Sequence, residues 1–355
     1  MKLHKFLLAT LAASFLFVSC SDDDLDDTPV PSGAYDNGVF ILNQGGFNAG
    51  NANVSFLSDD MELENNIFSA VNTGMFLGDT AQDMNFNGDL AYIVVNNSQK
   101  IEVLNRHTFE HVATITAGLS NPRYIAFANN KGYVTNWGDG GSTTDDYVAV
   151  LNLESNTITS TIPVAEGPEK ILEANGKLYV AHYGGYGYGN TISVINTSNN
   201  TIATTITVGD LPNSMEVVSD KLYVLSAGKP SWAGTETDGK LSVINLANNS
   251  VTNSFDFDGQ HPANLDIEEG SIYYTVDSGI YKMNLSANAL PATPLFTTTE
   301  QGAYGVYSFA VKNGHIYLGD AVDYNSNGKV YVHMMDGMLH HTFNVGVVPA
   351  GFYFN

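Results

Sequence analysis

Basic residues are scarce in this chain. It carries 14 Lys and Arg against 37 Asp and Glu, a formal net charge of −23 over 355 residues. Such a chain repels phosphate backbones and anionic lipid surfaces, so nucleic acid is a poor partner for it. Cysteine is almost absent: Cys20 stands alone. A single cysteine excludes an intrachain disulfide and any site built from several thiolates. Charged residues of both signs make up only 14%, while hydrophobic residues reach 43%. The polar surface must therefore come from Asn, Thr, Ser, Gly and Tyr, a mix that favours strands and turns over helices. Sequence signatures of enzymes are also missing. There is no Gly-x-Ser-x-Gly elbow, no His-x-His and no HExxH.

What is present begins with Lys2 and Lys5, followed by thirteen mostly apolar residues from Phe6 to Val18. A basic start and a short apolar run read as a signal peptide, since the run is too short to span a bilayer as a stable helix. Phe17-Val18-Ser19-Cys20 closes it and resembles a bacterial lipobox, which implies cleavage after residue 19 and acylation of Cys20. Next comes Ser21-Asp22-Asp23-Asp24-Leu25-Asp26-Asp27, which resembles the surface-export signal of Bacteroidetes lipoproteins. The same acidic run also reads as a solvated tether. Expected boundaries are a signal peptide over 1–19, an acylated Cys20 with a flexible acidic tether over 20–36, and a folded body over 37–355. Loss of residues 1–19 removes two lysines and takes the formal charge to −25. The lipid alone would then hold the protein at the outer membrane, facing the cell exterior.

Self-similarity sets the fold. Seven short apolar segments share an aromatic second residue: Phe40, Tyr92, Tyr133, Tyr179, Tyr223, Tyr273 and Tyr317. The intervals are 52, 41, 46, 44, 50 and 44 residues. An all-β period near 45 marks a propeller blade. Each segment leads through a loop to a second strand with two-residue alternation, such as Ile192-Ser193-Val194-Ile195-Asn196. An Asn-rich turn and a third strand follow, and then a proline (Pro122, Pro168, Pro212, Pro262 or Pro349) opens a fourth. With strands named A to D from the axis outward, the chain runs B, C, D and then A of the next blade. Residues 349–355 would be the A strand of the first blade and close the ring. The expectation is an all-β, seven-bladed propeller of four-stranded antiparallel blades. The rival count is eight, if the long first or fifth repeat hides a strand pair.

Tyr133-Val134-Thr135-Asn136 spells the signature of YVTN propeller repeats, and Leu241-Ser242-Val243-Ile244-Asn245 resembles the second half of that repeat. A sharper likeness runs through Gly38–Phe47, Leu77–Met84, Val94–Ser98, Asn121–Ile125 and Asp320–Tyr324. These segments resemble the Bacteroidetes surface lipoproteins of the BtuG type. That resemblance implies a seven-bladed propeller that captures cobalamin or a related corrinoid outside the cell. It would pass the ligand to a TonB-dependent outer-membrane transporter.

In the B, C, D, A order the B–C and D–A loops emerge on one face, around the channel mouth. Both tryptophans, Trp137 and Trp232, fall in these loops, as do Phe47, Tyr183, Tyr186, Tyr188, Tyr304 and Tyr324. Aromatics supply rigid contact area, and amides and phenols supply adaptable hydrogen bonds. The candidate ligand contacts are Trp137, Tyr183, Tyr186, Trp232 and Tyr324, with Asn96, Asn136 and Arg123 meeting an amide rim. Each has a plainer reading. The tryptophans can pack between blades, the Tyr183–Tyr188 stretch can be only a Gly-rich loop, the asparagines can be turn formers, and Arg123 can pair with a neighbouring carboxylate. The remaining chemistry is thin. His182 and His261 could share the channel face, and His340 and His341 should point to opposite faces of an outer strand. No catalytic residues, metal or cofactor are expected. Two other functions stay open: a YVTN-type adhesion propeller without a small ligand, and a glycan-binding accessory lipoprotein.

Overall fold

The structure, a computed structural model, describes residues 33–355. Cys20 and the expected signal peptide lie outside the described residues.

Seven four-stranded antiparallel sheets make up the fold. Numbered by their B strands, blades 2 to 7 have inner strands Ala81–Asn87, Pro122–Ala128, Pro168–Ala174, Pro212–Val218, Ala263–Glu268 and Ser308–Lys312. Blade 1 is completed by Pro349–Phe354, which pairs antiparallel with Gly38–Asn43, so that Val39 faces Phe354 and Leu42 faces Gly351. This closes the ring and removes a free sheet edge between the two ends. The count is seven. The long first repeat spends its extra residues on a short helix, Ile67–Val71, and the fifth on a 3-10 turn, Ser231–Ala233.

The seven B-strand aromatics are core, none more than 6% exposed. They are large enough to fill the wedge between adjacent sheets. The D–A connections repeat a backbone device. Thr80, Asn121, Gly167, Leu211 and Val348 each adopt a positive φ immediately before an inner strand. Four of the following residues are prolines (Pro122, Pro168, Pro212 and Pro349), whose missing N–H is tolerated at a strand's first position. Just beyond, the A–B pairing slips: register shifts fall between Ala81 and Asp83, Pro122 and Ile125, Pro168 and Ile171, Pro212 and Ser214, and Ala263 and Asp266. A bulge breaks the two-residue alternation and re-aims side chains. Consecutive residues therefore both reach the channel, as Arg123 with Tyr124 and Glu169 with Lys170 do.

The folded body starts earlier than residue 37. Tyr35 is buried, with its ring 5.1 Å from Phe56 and 6.0 Å from Phe109. Its amide donates to His107 O at 3.0 Å, and His107 Nδ1 lies 2.7 Å from Asp36 Oδ1. Asn355 bonds to the carbonyls of both Tyr35 and Arg106. Residues 33–36 and Asn355 are thus fastened to the same turn of blade 2, on the A–B/C–D face.

Candidate functional site

A channel of about 940 Å³ runs between the inner strands. At its mouth, on the B–C/D–A face, lie Gln44, Arg123, Trp137, Tyr183, His261 and Tyr307. Arg123 makes a two-pronged ion pair with Glu169 of the neighbouring blade, Nε to Oε2 at 2.9 Å and Nη2 to Oε1 at 2.6 Å. Its guanidinium also lies 4.3 Å from the centre of the Trp137 ring. Trp137 Nε1 donates to Pro168 O at 3.1 Å, so the indole is held from two sides and is only partly exposed. Tyr186 meets it edge-on at 6.0 Å and is 82% exposed. The Tyr186 ring comes this close because Gly140 lies beneath it; a Cβ there would sit 2.7 Å from the ring.

The Tyr183–Tyr188 stretch is a built turn. The amide of Tyr183 donates to Gly167 O at 2.9 Å and that of Gly189 to Tyr183 O at 2.8 Å. The glycines permit the packing, since a Cβ on Gly167 would fall 1.8 Å from Gly185 N.

Of the residues picked from sequence, Arg123, Trp137, Tyr183 and Tyr186 are brought together here. Tyr324 stands across the mouth, with Tyr307 at 5.7 Å and Tyr304 at 6.4 Å. Trp232 shares the face and is 80% exposed, but stands on the blade 5 loop outside the channel lining. Asn96 and Asn136 are not on the rim. Asn96 Nδ2 donates to Pro122 O at 3.0 Å in a buried setting. Asn136 is fully buried, donates to Val134 O and accepts from Ser120 N. Both amides serve the D–A connection, as turn formers do. Arg123 likewise has its Nε and Nη2 donors engaged by Glu169. His182 is buried against Ser193, at 2.8 Å, and is absent from the channel, whereas His261 lines it. His340 and His341 have rings 4.2 Å apart instead of on opposite faces. A register shift lets Leu339 and His341 pair with consecutive residues of the adjacent strand, leaving His340 as the extra residue.

Below the mouth the channel is polar, and sequence reading missed this part. Tyr124 accepts from Gln82 Nε2 at 2.9 Å, and Lys170 Nζ lies 4.1 Å from the Tyr124 ring centre. Asp83 accepts from Ile125 N at 2.9 Å and from Tyr353 Oη at 3.1 Å. Burial pushes its carboxyl up to about 6, against the pull of Lys170. Deeper, Lys312 pairs with Glu268 at 3.1 Å and Asp266 accepts from Val311 N at 2.8 Å. Among the described residues Glu216 has no hydrogen-bond partner; burial, and then Asp266, push it up to about 8. Lys170 and Glu216, two and four places after a strand-opening proline, were the available signal. Among the described residues, no three His, Cys, Asp or Glu side chains are placed to hold a metal ion. No described helix is long and apolar enough to cross a membrane.

The architecture has solved counterparts. A quinonprotein alcohol dehydrogenase-like protein from Bacteroides thetaiotaomicron superposes with a TM-score of 0.66 at 15% identity, over 90% of this chain and 78% of that one. Hydrazine synthase from Kuenenia stuttgartiensis gives 0.54 at 15% identity, over 78% and 92%. The computationally designed Ika8 protein gives 0.57 at 10% identity, over 92% and 93%. At these identities the likeness speaks for the fold alone. No curated protein matches the sequence. A family model does match, over residues 37–312, from the first B strand to the inner strand of blade 7. That span holds six of the seven repeats and most of the channel wall, and it makes the chain a member of the family described as "Domain of unknown function (DUF5074)".

Proposed function

We propose that this propeller is a cell-surface binding lipoprotein that captures cobalamin or a related corrinoid for a TonB-dependent outer-membrane transporter, and that it is not an enzyme. One observation carries the reading of the ligand face. Among the described residues eight aromatic side chains are exposed: Phe47, Phe76, Tyr186, Tyr188, Trp232, Tyr304, Tyr307 and Tyr324. Every one lies in a B–C or D–A loop, on the same face. The exposed branched aliphatic side chains, Val112, Ile202, Val251 and Leu339, lie elsewhere, on outer strands. Exposed aromatics concentrated on one face, around a concave mouth, support a ligand platform. A corrinoid is large, flat and rimmed with amides, which suits aromatic walls with phenol and amide groups between them. The sequence likeness to BtuG-type lipoproteins supports the same ligand, and Cys20 with its acidic run supports the anchored setting.

The direct contacts in this reading are Trp137, Tyr183, Tyr186, Trp232 and Tyr324. Arg123 acts by holding Trp137. The test is binding calorimetry with cyanocobalamin on the chain starting at Thr28. Trp137→Ala and Trp232→Ala should each weaken binding by roughly thirtyfold or more, the equivalent of about 2 kcal/mol per buried aromatic anchor. Asn199→Ala, on the opposite face, should change nothing. No binding by the wild type removes the ligand. Binding that survives both tryptophan changes removes the choice of contacts.

A further inference from the structure

Two aromatic groups lie on the mouth face, from nearly opposite sides of the ring; Trp137, Tyr183 and Tyr307 line the channel, and Tyr186, Tyr304 and Tyr324 stand beside them outside its lining. The first is Trp137 with Tyr183 and Tyr186, at the junction of blades 3 and 4. The second is Tyr304, Tyr307 and Tyr324 of blade 7, joined to blade 1 where Tyr307 Oη donates to Gln44 Oε1 at 2.7 Å. Three blades separate these junctions one way round and four the other. Trp137 and Tyr307 both line the channel, and Tyr307 is within electrostatic reach of Arg123.

The blade 7 group is not core. Tyr304 is 77% exposed and Tyr324 48%. Its loop is nevertheless pre-shaped: Asp323 Oδ1 accepts from Asn325 N at 3.0 Å and from Ser326 N at 2.6 Å. Exposed tyrosines on a fixed loop offer contact area at low entropic cost. The charges nearby restrict what could enter. Arg123 is already neutralised by Glu169. Beneath it the wall carries Asp83, Asp266 and Glu268 against Lys170 and Lys312, with Glu216 mostly protonated at neutral pH. Among the described residues, an anion would meet at the mouth an arginine already paired with Glu169, and a small net negative charge below.

We infer that Tyr304, Tyr307 and Tyr324 are the second wall of a cleft that grips a flat, neutral or cationic ring system against the Trp137–Tyr186 wall. This rests on the mouth being a ligand site, as proposed above, and does not require that the ligand be a corrinoid.

The test uses the full-length chain in phospholipid nanodiscs, with empty nanodiscs subtracted, at physiological salt. Three flat macrocycles are titrated: cyanocobalamin, tetrakis(N-methyl-4-pyridyl)porphyrin as a cation and tetrakis(4-sulfonatophenyl)porphyrin as an anion. The double variant Tyr304→Ala/Tyr324→Ala should weaken the neutral or cationic probe by about tenfold or more. Trp137→Ala should do the same. Tyr304→Phe/Tyr324→Phe, which keeps the rings, should retain most of the binding. The anion should bind far more weakly. Cationic binding that needs both walls, without cobalamin binding, upholds the cleft and overturns the corrinoid. Cobalamin binding that needs Trp137 but tolerates Tyr304→Ala/Tyr324→Ala overturns the second wall. Equal binding of the anion overturns the ligand class, and a wild type that binds none of the three overturns the site.

Discussion

The hydroxyl of Tyr133 donates to Asn200 Oδ1 at 3.0 Å, across a blade boundary. Tyr133 belongs to the B strand of blade 3 and Asn200 to the C–D turn of blade 4. The next boundary repeats it, with Tyr179 donating to Asn249 at 3.0 Å. Both asparagines are left-handed, at φ 58 and 57. One residue type thus makes the hairpin turn and receives the neighbouring blade.

Tyr133→Phe should cost about 1 kcal/mol, the usual net value of such a bond. Asn200→Gly keeps the left-handed backbone accessible and should cost a similar amount. In urea melts the double variant should be less destabilised than the sum of the singles. Strict additivity would mean the two groups do not interact.

Deleting residues 349–355 should leave the B strand of blade 1 without its inner neighbour and strip Phe352 and Phe354 from their contacts with Tyr317. A loss of several kcal/mol would lower Tm by about 5 °C or more. An unchanged Tm would mean that closure contributes little.

His333 is fully buried, with both ring nitrogens unpartnered among the described residues and Phe296 at 4.6 Å. Burial pushes its pKa from 6.5 down to about 4. The unfolded chain holds this proton more tightly, so the contribution is complete above about pH 6.5 and is lost as pH falls toward about 4. His333→Leu should flatten that part of the stability profile by up to about 1.4 kcal/mol per pH unit. Parallel profiles for wild type and variant between pH 4.5 and 6.5 would contradict this.

Glu216 works in the other direction. Its folded value, about 8, lies above the ordinary 4.5. Its contribution is therefore full below about pH 4.5 and is lost as pH rises through 8. Glu216→Gln should be more stable relative to wild type at pH 9 than at pH 5, as read from Tm at the two values. A Tm difference that is the same at both would refute it.

The fold was legible because its signals repeat. Seven aromatics at near-constant spacing state the same unit seven times, and a proline before five of the inner strands and the Asn-rich turns restate it in most blades. The loop aromatics followed, since strand order alone assigns a loop to a face. What failed was the direction of single side chains. Asn96 and Asn136 sit at B-strand ends next to the right loops, yet turn inward to fix the D–A connection. Tyr124 and Lys170, the neighbours of Arg123 and Glu169, were opaque for another reason. Simple alternation sends one of each pair into the sheet, and only the bulge after the proline sends both into the channel. Glu216 and Asp266 meet only because the ring sets their strands side by side.

The closing ladder also decides how the molecule would carry load. Val39 faces Phe354, so residues 33–36 and Asn355 leave the same end of one antiparallel pair. Tension applied between them would peel that pair rung by rung, beginning where Asn355 N donates to Gly38 O at 3.0 Å. Tension applied through residue 33 alone, with the rest of the body free, passes no force across those rungs. A propeller closed in this way is weak when stretched between its ends and sound when it hangs from one.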